Sequence, residues 1–321
     1  MKTILVPLDG SAIARQSLPY VQMLATLLSA RIHLLRVISD VDRDHMLSSD
    51  SLLLYDMGHA RETAHERTQR VWAMLQEYAV TYLEVQAQPL RHAGFDVTTE
   101  VRIGMPPEQI VQVAARESVT LMVMATHGYS GLRRWALGSV TDKVVQTTPT
   151  PVFVVRGTET ELTEPVYLKR LMVPLDGSEL SRQALPCALE LATCAHAELL
   201  LLRAMGPRLQ EFYEVGGISG QAVPLYNEVQ WTEQRRQATR DLDATAGKLR
   251  HYDLPIATHV MDGYPAEVIV DEAARHNVDA IVMATHGYGG LQRWALGSVA
   301  DKVLHATRTP LILVHAHASE H

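Results

Sequence analysis

The chain has 321 residues, of which 47% are hydrophobic and 20% charged; this ordinary globular usage excludes a disordered chain, a fibre or a polar linker protein, and at about 150 residues per domain the length suggests roughly two domains. Twenty-nine Lys and Arg stand against 36 Asp and Glu, a formal net charge of −7 that divides into −1 over residues 1–160 and −6 over 161–321, so there is no basic domain and no nucleic acid is expected as a partner. Two cysteines cannot build a disulfide framework, no apolar run approaches the ~18 residues of a membrane span, and the opening MKTILVPLD is interrupted too soon for a signal peptide; a cytoplasmic, reduced protein without a membrane partner is expected.

In chain order, residues 2–8 read as an apolar strand. Ser11 can cap the next helix, because its hydroxyl can accept a free N–H of the first turn. That helix runs toward Ser29, with Pro19 either bending it or marking its true start. Residues 31–38 form a second strand, 41–58 a polar acidic loop, and 59–92 a long helical stretch with Trp72, Met74 and Leu75 on an apolar stripe. A strand over 97–103 ends at Gly104, Pro106 or Pro107 starts a helix through Arg116, and 119–124 is a buried-type strand. A glycine loop, a helix over 139–146 and a strand over 151–155 complete the unit.

The unit then recurs. Residues 124–145 match residues 283–304 at 18 of 22 positions, and residues 5–26 match 172–193 at 13 of 22. A period near 160 residues is a duplicated domain, far longer than a solenoid repeat. The expected division is one domain over 1–156, a linker over 157–168 and a second domain over 169–321, with a long loop at 205–227 and a last strand at 310–314. Strand–helix alternation with apolar strands implies α/β units, each a doubly wound five-stranded parallel sheet covered on both faces. The last strands are apolar on both faces, and an apolar strand left bare at a sheet edge invites pairing. Cys187 and Cys194, seven apart on one helix, read as packing thiols.

Ligands of such sheets bind beyond the carboxyl ends of the strands. There the first strand of each copy ends in Pro-Leu-Asp-Gly-Ser, placing Asp9 and Asp176 at the mouth of the crevice. A carboxylate there can accept hydrogen bonds from ribose hydroxyls or an adenine amine; Asp-Gly is also a strong turn signal, and both readings stand. The fourth strands end in Ala125-Thr126-His127-Gly128 and Ala284-Thr285-His286-Gly287, followed by Gly138-Ser139 and Gly297-Ser298 opening helices. A helix N-terminus with unpaired N–H groups suits phosphate. No Walker lysine motif and no G-x-G-x-x-G follows the first strand, and Ser130 becomes Gly289 in the second copy, which disfavours a serine nucleophile.

These residues resemble the universal stress protein family in its tandem form: the strand-end Asp, the G-x2-G-x9-G-[S/T] loop and the five-stranded unit, over essentially the whole chain. Ala125 and Ala284 stand where the motif has its first glycine. The resemblance implies an adenine nucleotide α-hydrolase-like fold, and ATP, ADP or AMP as the ligand of its nucleotide-binding members, with Mg²⁺ or Mn²⁺ held by the phosphates. It implies adenine between Pro7 and Val37 in one copy and Pro174 and Ala204 in the other. Asp9 and Asp176 would meet the adenosine. Ala125, Gly128, Ala284 and Gly287 would line ribose and first phosphates, and Gly138, Ser139, Val140, Gly297, Ser298 and Val299 would supply phosphate donors. The function implied is that of a nucleotide-binding stress-response regulator with slow or no hydrolysis. The partners implied are the nucleotide, a protein the sequence does not identify, and an internal pseudo-dimer in which the last strands of the two copies lie at sheet edges and pair with each other, an arrangement that also admits a homodimer. A nucleotide-free interaction module and a weak ATPase are the alternatives.

His127 and His286 read as loop packing or phosphate-side hydrogen bonds, because no acid is visible to orient a general base. Arg134 and Arg293 are kept in both copies and could reach phosphate or simply face solvent. Trp135 and Trp294 read as packing residues. The histidines at 315, 317 and 321 cluster at a terminus and are treated as incidental.

Overall fold

The computed structural model describes residues 1–48, 63–126, 138–157, 165–206, 228–285 and 296–316. They divide into two compact units: Met1–Thr150 with Gly157–Pro165, and Pro151–Arg156 with Val166–His321.

In the first unit, β1 (Thr3–Pro7) leads into α1 (Ala12–Arg15) and α2 (Leu18–Leu28). Pro19 lies in the first turn of α2 and so marks a start, where its missing N–H would have no partner anyway. The chain continues through β2 (Arg31–Ile38), α3 (Asp40–Leu47), α4 (Ala64–His92), β3 (Val97–Ile103), α5 (Pro106–Arg116), β4 (Leu121–Thr126) and α6 (Ser139–Thr147). The helix α3 corrects the first part of the expected loop at 41–58, whose residues 49–58 lie outside the described residues. It has no buried residue, and a capping box builds it instead: the Asp42 N–H donates to the Ser39 hydroxyl while the Asp42 carboxylate accepts the Ser39 N–H. A second capping box, between Thr63 and Glu66, starts α4.

The first unit's strands lie in the order β3-β2-β1-β4, all parallel. Helix α4 packs on β3 and β2, α2 on β1 and β2, and α5 on β2 and α6. Strands β1 and β4 carry much of the core, with Ile4, Leu5, Val6, Met122 and Val123 wholly buried. Such side chains each contribute about 1.5–3 kcal/mol through burial.

The second unit repeats the order: β6 (Arg170–Pro174), α7 (Glu179–Arg182), α8 (Leu185–Ala195), β7 (Glu198–Met205), α9 (Glu228–Leu249), β8 (Ile256–Asp262), α10 (Pro265–Arg275), β9 (Ala280–Ala284), α11 (Ser298–Ala306) and β10 (Leu311–Val314). Its own strands run β10-β9-β6-β7-β8 in parallel. Strand β5 (Val152–Arg156), the last strand of the first repeat, belongs to this unit and pairs antiparallel with β10, with Val154 opposite Leu311 and Phe153 opposite Ile312. The last strands therefore do pair. Arg156 reinforces the join by donating to the carbonyl oxygens of Leu304 and His305, the latter at 2.6 Å.

Cys187 and Cys194 are both free. Burial pushes the Cys187 thiol up to about 12, with Glu190 adding to the rise; it is a packing thiol as expected. Cys194 is exposed, which corrects its expected role. Among the described residues, no helix is long and apolar enough to cross a membrane.

Candidate functional site

In each unit the order in which the strands are laid down reverses once. The chain moves outward from β1 to β3, then returns to place β4 on the other side of β1; β6 to β9 do the same. The crevice at such a reversal lies beyond the carboxyl ends of the two central strands. Pro7 ends β1, Val37 lies next to last in β2, and Ala125 lies next to last in β4. Their counterparts Pro174, Ala204 and Ala284 hold the equivalent ends of β6, β7 and β9. Val37 and Ala284 are buried, whereas Pro7, Ala125, Pro174 and Ala204 are half-buried.

Asp9 and Asp176 follow immediately, and each makes the turn that the Asp-Gly signal announces. The Ser11 N–H donates to Asp9 Oδ1 at 2.8 Å. Asp176 Oδ1 accepts both the Ser178 N–H at 2.9 Å and its hydroxyl at 2.5 Å. The following glycines take φ +89 and +85, a region that favours glycine. Ser11 and Ser178 then cap α1 and α7, accepting the N–H of Ala14 and Ser181 at 3.0 Å. One carboxylate oxygen thus shapes the loop. Asp9 is exposed and Asp176 half-buried.

The helices α6 and α11 begin at the same ends of the sheets. Gly138 and Gly297 are their N-caps, with no side-chain cap in either. An N-cap glycine offers no oxygen of its own, so the first-turn N–H groups keep their donors for a ligand. Ser139 and Ser298 are exposed at the first helical position, while Val140 and Val299 are half-buried. In the second unit, the Gly297 N–H donates to the Thr285 carbonyl at 2.7 Å, tying the start of α11 to the end of β9. In the first, the Gly157 N–H donates to the Thr126 carbonyl at 2.9 Å. Gly128 and Gly287 lie outside the described residues, as do His127, His286, Arg134, Arg293, Trp135 and Trp294.

Two arginine pairs reach this corner and escaped motif reasoning. Arg15 and Arg36 in one copy correspond to Arg182 and Arg203 in the other, at the same offset of 167 that relates the Asp-Gly-Ser loops. Arg36 is paired with Asp42 at 2.9 Å. Arg203 lies over the strand-end loop, with Nη1 3.4 Å from the Leu175 carbonyl oxygen and 2.5 Å from where a Cβ on Gly177 would stand. A recess lined by Gly177, Arg182, Arg203, Asp241 and Thr245 opens beside it. In the first unit Tyr82 of α4 faces the matching corner. Burial raises its phenol above the ordinary value, and Arg15, Asp9 and Arg36 lie close enough to act on it. The available signal was the identity of these arginines in both copies, Arg15 and Arg182 in short helices and Arg36 and Arg203 in strands.

Comparison with known proteins identifies the family and the fold. The family model described as "Universal stress protein family" matches residues 1–156 and again 168–315. Universal stress protein Rv2005c of Mycobacterium tuberculosis is 28% identical over 217 residues, 68% of each chain. Universal stress protein MJ0577 of Methanocaldococcus jannaschii is 32% identical over 155 residues, 48% of this chain and 94% of that one. A universal stress protein structure from Archaeoglobus fulgidus covers 98% of both chains at 19% identity with a TM-score of 0.68. The family model matches the chain twice, once over each copy of the repeated unit, and the chain belongs to the universal stress protein family in its tandem form.

Proposed function

We propose that each copy binds an adenine nucleotide, ATP or its products, at the carboxyl ends of its central strands, and that the protein is a cytoplasmic stress-response regulator. The observation that carries this reading is the pair of helix starts, Gly138-Ser139 and Gly297-Ser298, which lack side-chain caps at matching strand ends. A helix N-terminus of this kind attracts anions through its donors and its partial positive charge. The residues suit the ligand's other parts too. Apolar Pro7 and Val37, or Pro174 and Ala204, are fit to flank a base, and Asp9 or Asp176 to accept from adenosine. Gly128 and Gly287 would complete the phosphate loop.

Arg203, which lies over the Asp176-Gly177 loop, is placed to meet the nucleotide in the second copy, whereas its counterpart Arg36 is paired with Asp42 in the first. A divalent ion would be held by the phosphates and water, and would supply charge neutralisation there. Hydrolysis is slow or nil in this reading. It needs a group to orient water, and the Asp9 and Asp176 carboxylates are taken up through one oxygen by the turn and, in this reading, through the rest by the adenosine.

The test is direct binding of labelled ATP. Micromolar to millimolar binding is expected, weakened about tenfold or more when Asp9→Ala and Asp176→Ala are combined, as the loss of charged hydrogen bonds requires. Binding by neither copy at millimolar ATP, with no nucleotide released from the purified protein, would replace this reading with the interaction module.

A further inference from the structure

The second unit holds a cluster that the nucleotide site does not use. His259 lies mid-strand in β8, opposite Leu202 of β7. Glu272 lies in the last turn of α10, and His276 caps that helix one turn later. The Glu272 side chain is 3% exposed, whereas the two imidazoles are each 32% exposed. A buried carboxylate is thus reached from solvent between two histidines. Glu272 Oε2 lies 3.4 Å from His259 Nδ1 and 3.3 Å from His276 Nε2. One ligand atom from each residue falls within 4.8 Å of the other two. Arg275 Nη1 is paired with the other carboxylate oxygen, Oε1.

We propose that His259, Glu272 and His276 form a binding site for a divalent transition metal, best suited to Zn²⁺. Three arguments support it. First, the distances fit a metal better than hydrogen bonds. Ligands about 2.0–2.2 Å from a tetrahedral Zn²⁺ are separated by roughly 3.3–3.6 Å, and both His–Glu separations fall there. An N–H···O bond is ordinarily about 2.9–3.0 Å, so a single oxygen shared by two rings at these separations is poorly served by hydrogen bonding.

Second, the donor set of two imidazoles and one carboxylate is a zinc set with a fourth position open to water or another ligand. The Glu272 and His276 spacing of four residues brings both to one face of the helix end, and β8 supplies the third donor. Third, Arg275 fixes the remaining oxygen, as partners around a metal ligand do. The site is peculiar to the second copy: at the repeat offset of 159, the first copy has Glu100, Val113 and Glu117.

The experiment titrates metal-free full-length protein with Zn²⁺ alone, by calorimetry and by elemental analysis after desalting. One equivalent per chain is expected from this site. It should be lost in His259→Gln with His276→Gln, retained when His315, His317 and His321 are all changed to Ala, and weakened about 10–100-fold by Arg275→Ala. Co²⁺ should give the intense visible band of a tetrahedral centre. If the double variant proves unfolded by circular dichroism, the Co²⁺ spectrum of the unmodified protein decides alone. No binding, binding that survives in a folded double variant, binding lost with the terminal histidines, or an octahedral Co²⁺ spectrum would each overturn the proposal. A Zn²⁺ equivalent that persists whether or not ATP binds would leave the nucleotide reading to be judged separately.

Discussion

The Arg203 guanidinium occupies the place where a side chain on Gly177 would begin, with Nη1 2.5 Å from that Cβ position. Gly10, its counterpart, has the same left-handed backbone but nothing within 4 Å. The two positions therefore separate strain from crowding. Gly10→Ala and Gly177→Ala should each cost about 1–2 kcal/mol of stability, because the backbone penalty is common to both and the end of an arginine can move aside. Only Gly177→Ala should displace Arg203, so it should also weaken ATP binding by the second copy. Urea unfolding and site-resolved nucleotide titration measure the two effects.

A second prediction concerns acid. Glu100 is partly buried, which raises its pKa, but hydrogen bonds from Arg116 and from His33, together with their charges, outweigh that and leave it below the ordinary carboxylate value. His33 Nε2 lies 3.0 Å from Glu100 and its Nδ1 lies 2.7 Å from Thr98 Oγ1. A carboxyl whose folded pKa is depressed binds fewer protons folded than unfolded. Its contribution is full above the unfolded value of about 4.3 and is lost as pH falls through the lower folded value. Stability measured by urea unfolding at successive pH values should fall across that window, and Glu100→Gln should flatten the slope. An unchanged slope would remove Glu100 as the cause.

Thiol chemistry should separate the two cysteines. The thiolate is the reactive form, and a Cys187 thiol raised to about 12 is almost wholly protonated at neutral pH, whereas Cys194 is exposed. A thiol reagent should modify one equivalent per native chain quickly and a second only on denaturation. Cys194→Ser should abolish the fast phase.

Gly157 offers a packing test. A Cβ there would stand 2.6 Å from Ile13 Cγ2 and 3.1 Å from the Thr126 carbonyl oxygen. Gly157→Ala should destabilise the protein by about 1–3 kcal/mol, the cost of overpacking, and the combined change with Ile13→Ala, which removes the Cγ2 methyl, should recover part of it relative to the sum of the two single changes. Thermal unfolding of the three variants checks this.

Much of this architecture is written locally in the chain. Asp9-Gly10-Ser11 and its repeat announce a turn followed by a cap, and both follow from short-range geometry. The apolar strands and the Gly-Ser helix starts are equally local. Helix α3 was illegible because it buries nothing, so it has no apolar period to detect; its signal was only Ser39 and Asp42. Arg36 and Arg203 fall inside strands whose hydrophobic neighbours hide them, and their meeting with the Asp-Gly loop depends on sheet register. His259 and Glu272 come together only because β8 turns directly into α10. Gly157 looked like the start of a linker, yet its N–H is fixed to β4 by a contact that no local pattern reveals.

The antiparallel pairing of β5 with β10 has a consequence for synthesis. Val154 waits for Leu311, 157 residues further along the chain. At about 5–20 residues per second the ribosome needs roughly 8–30 s to deliver the partner. During that interval Val152, Phe153 and Val154, all buried at the end, present an unfinished edge toward the missing strand. The nascent protein is thus most vulnerable to joining the wrong neighbour after its first half has been made, and a chain interrupted between the two copies would keep that exposed edge for good.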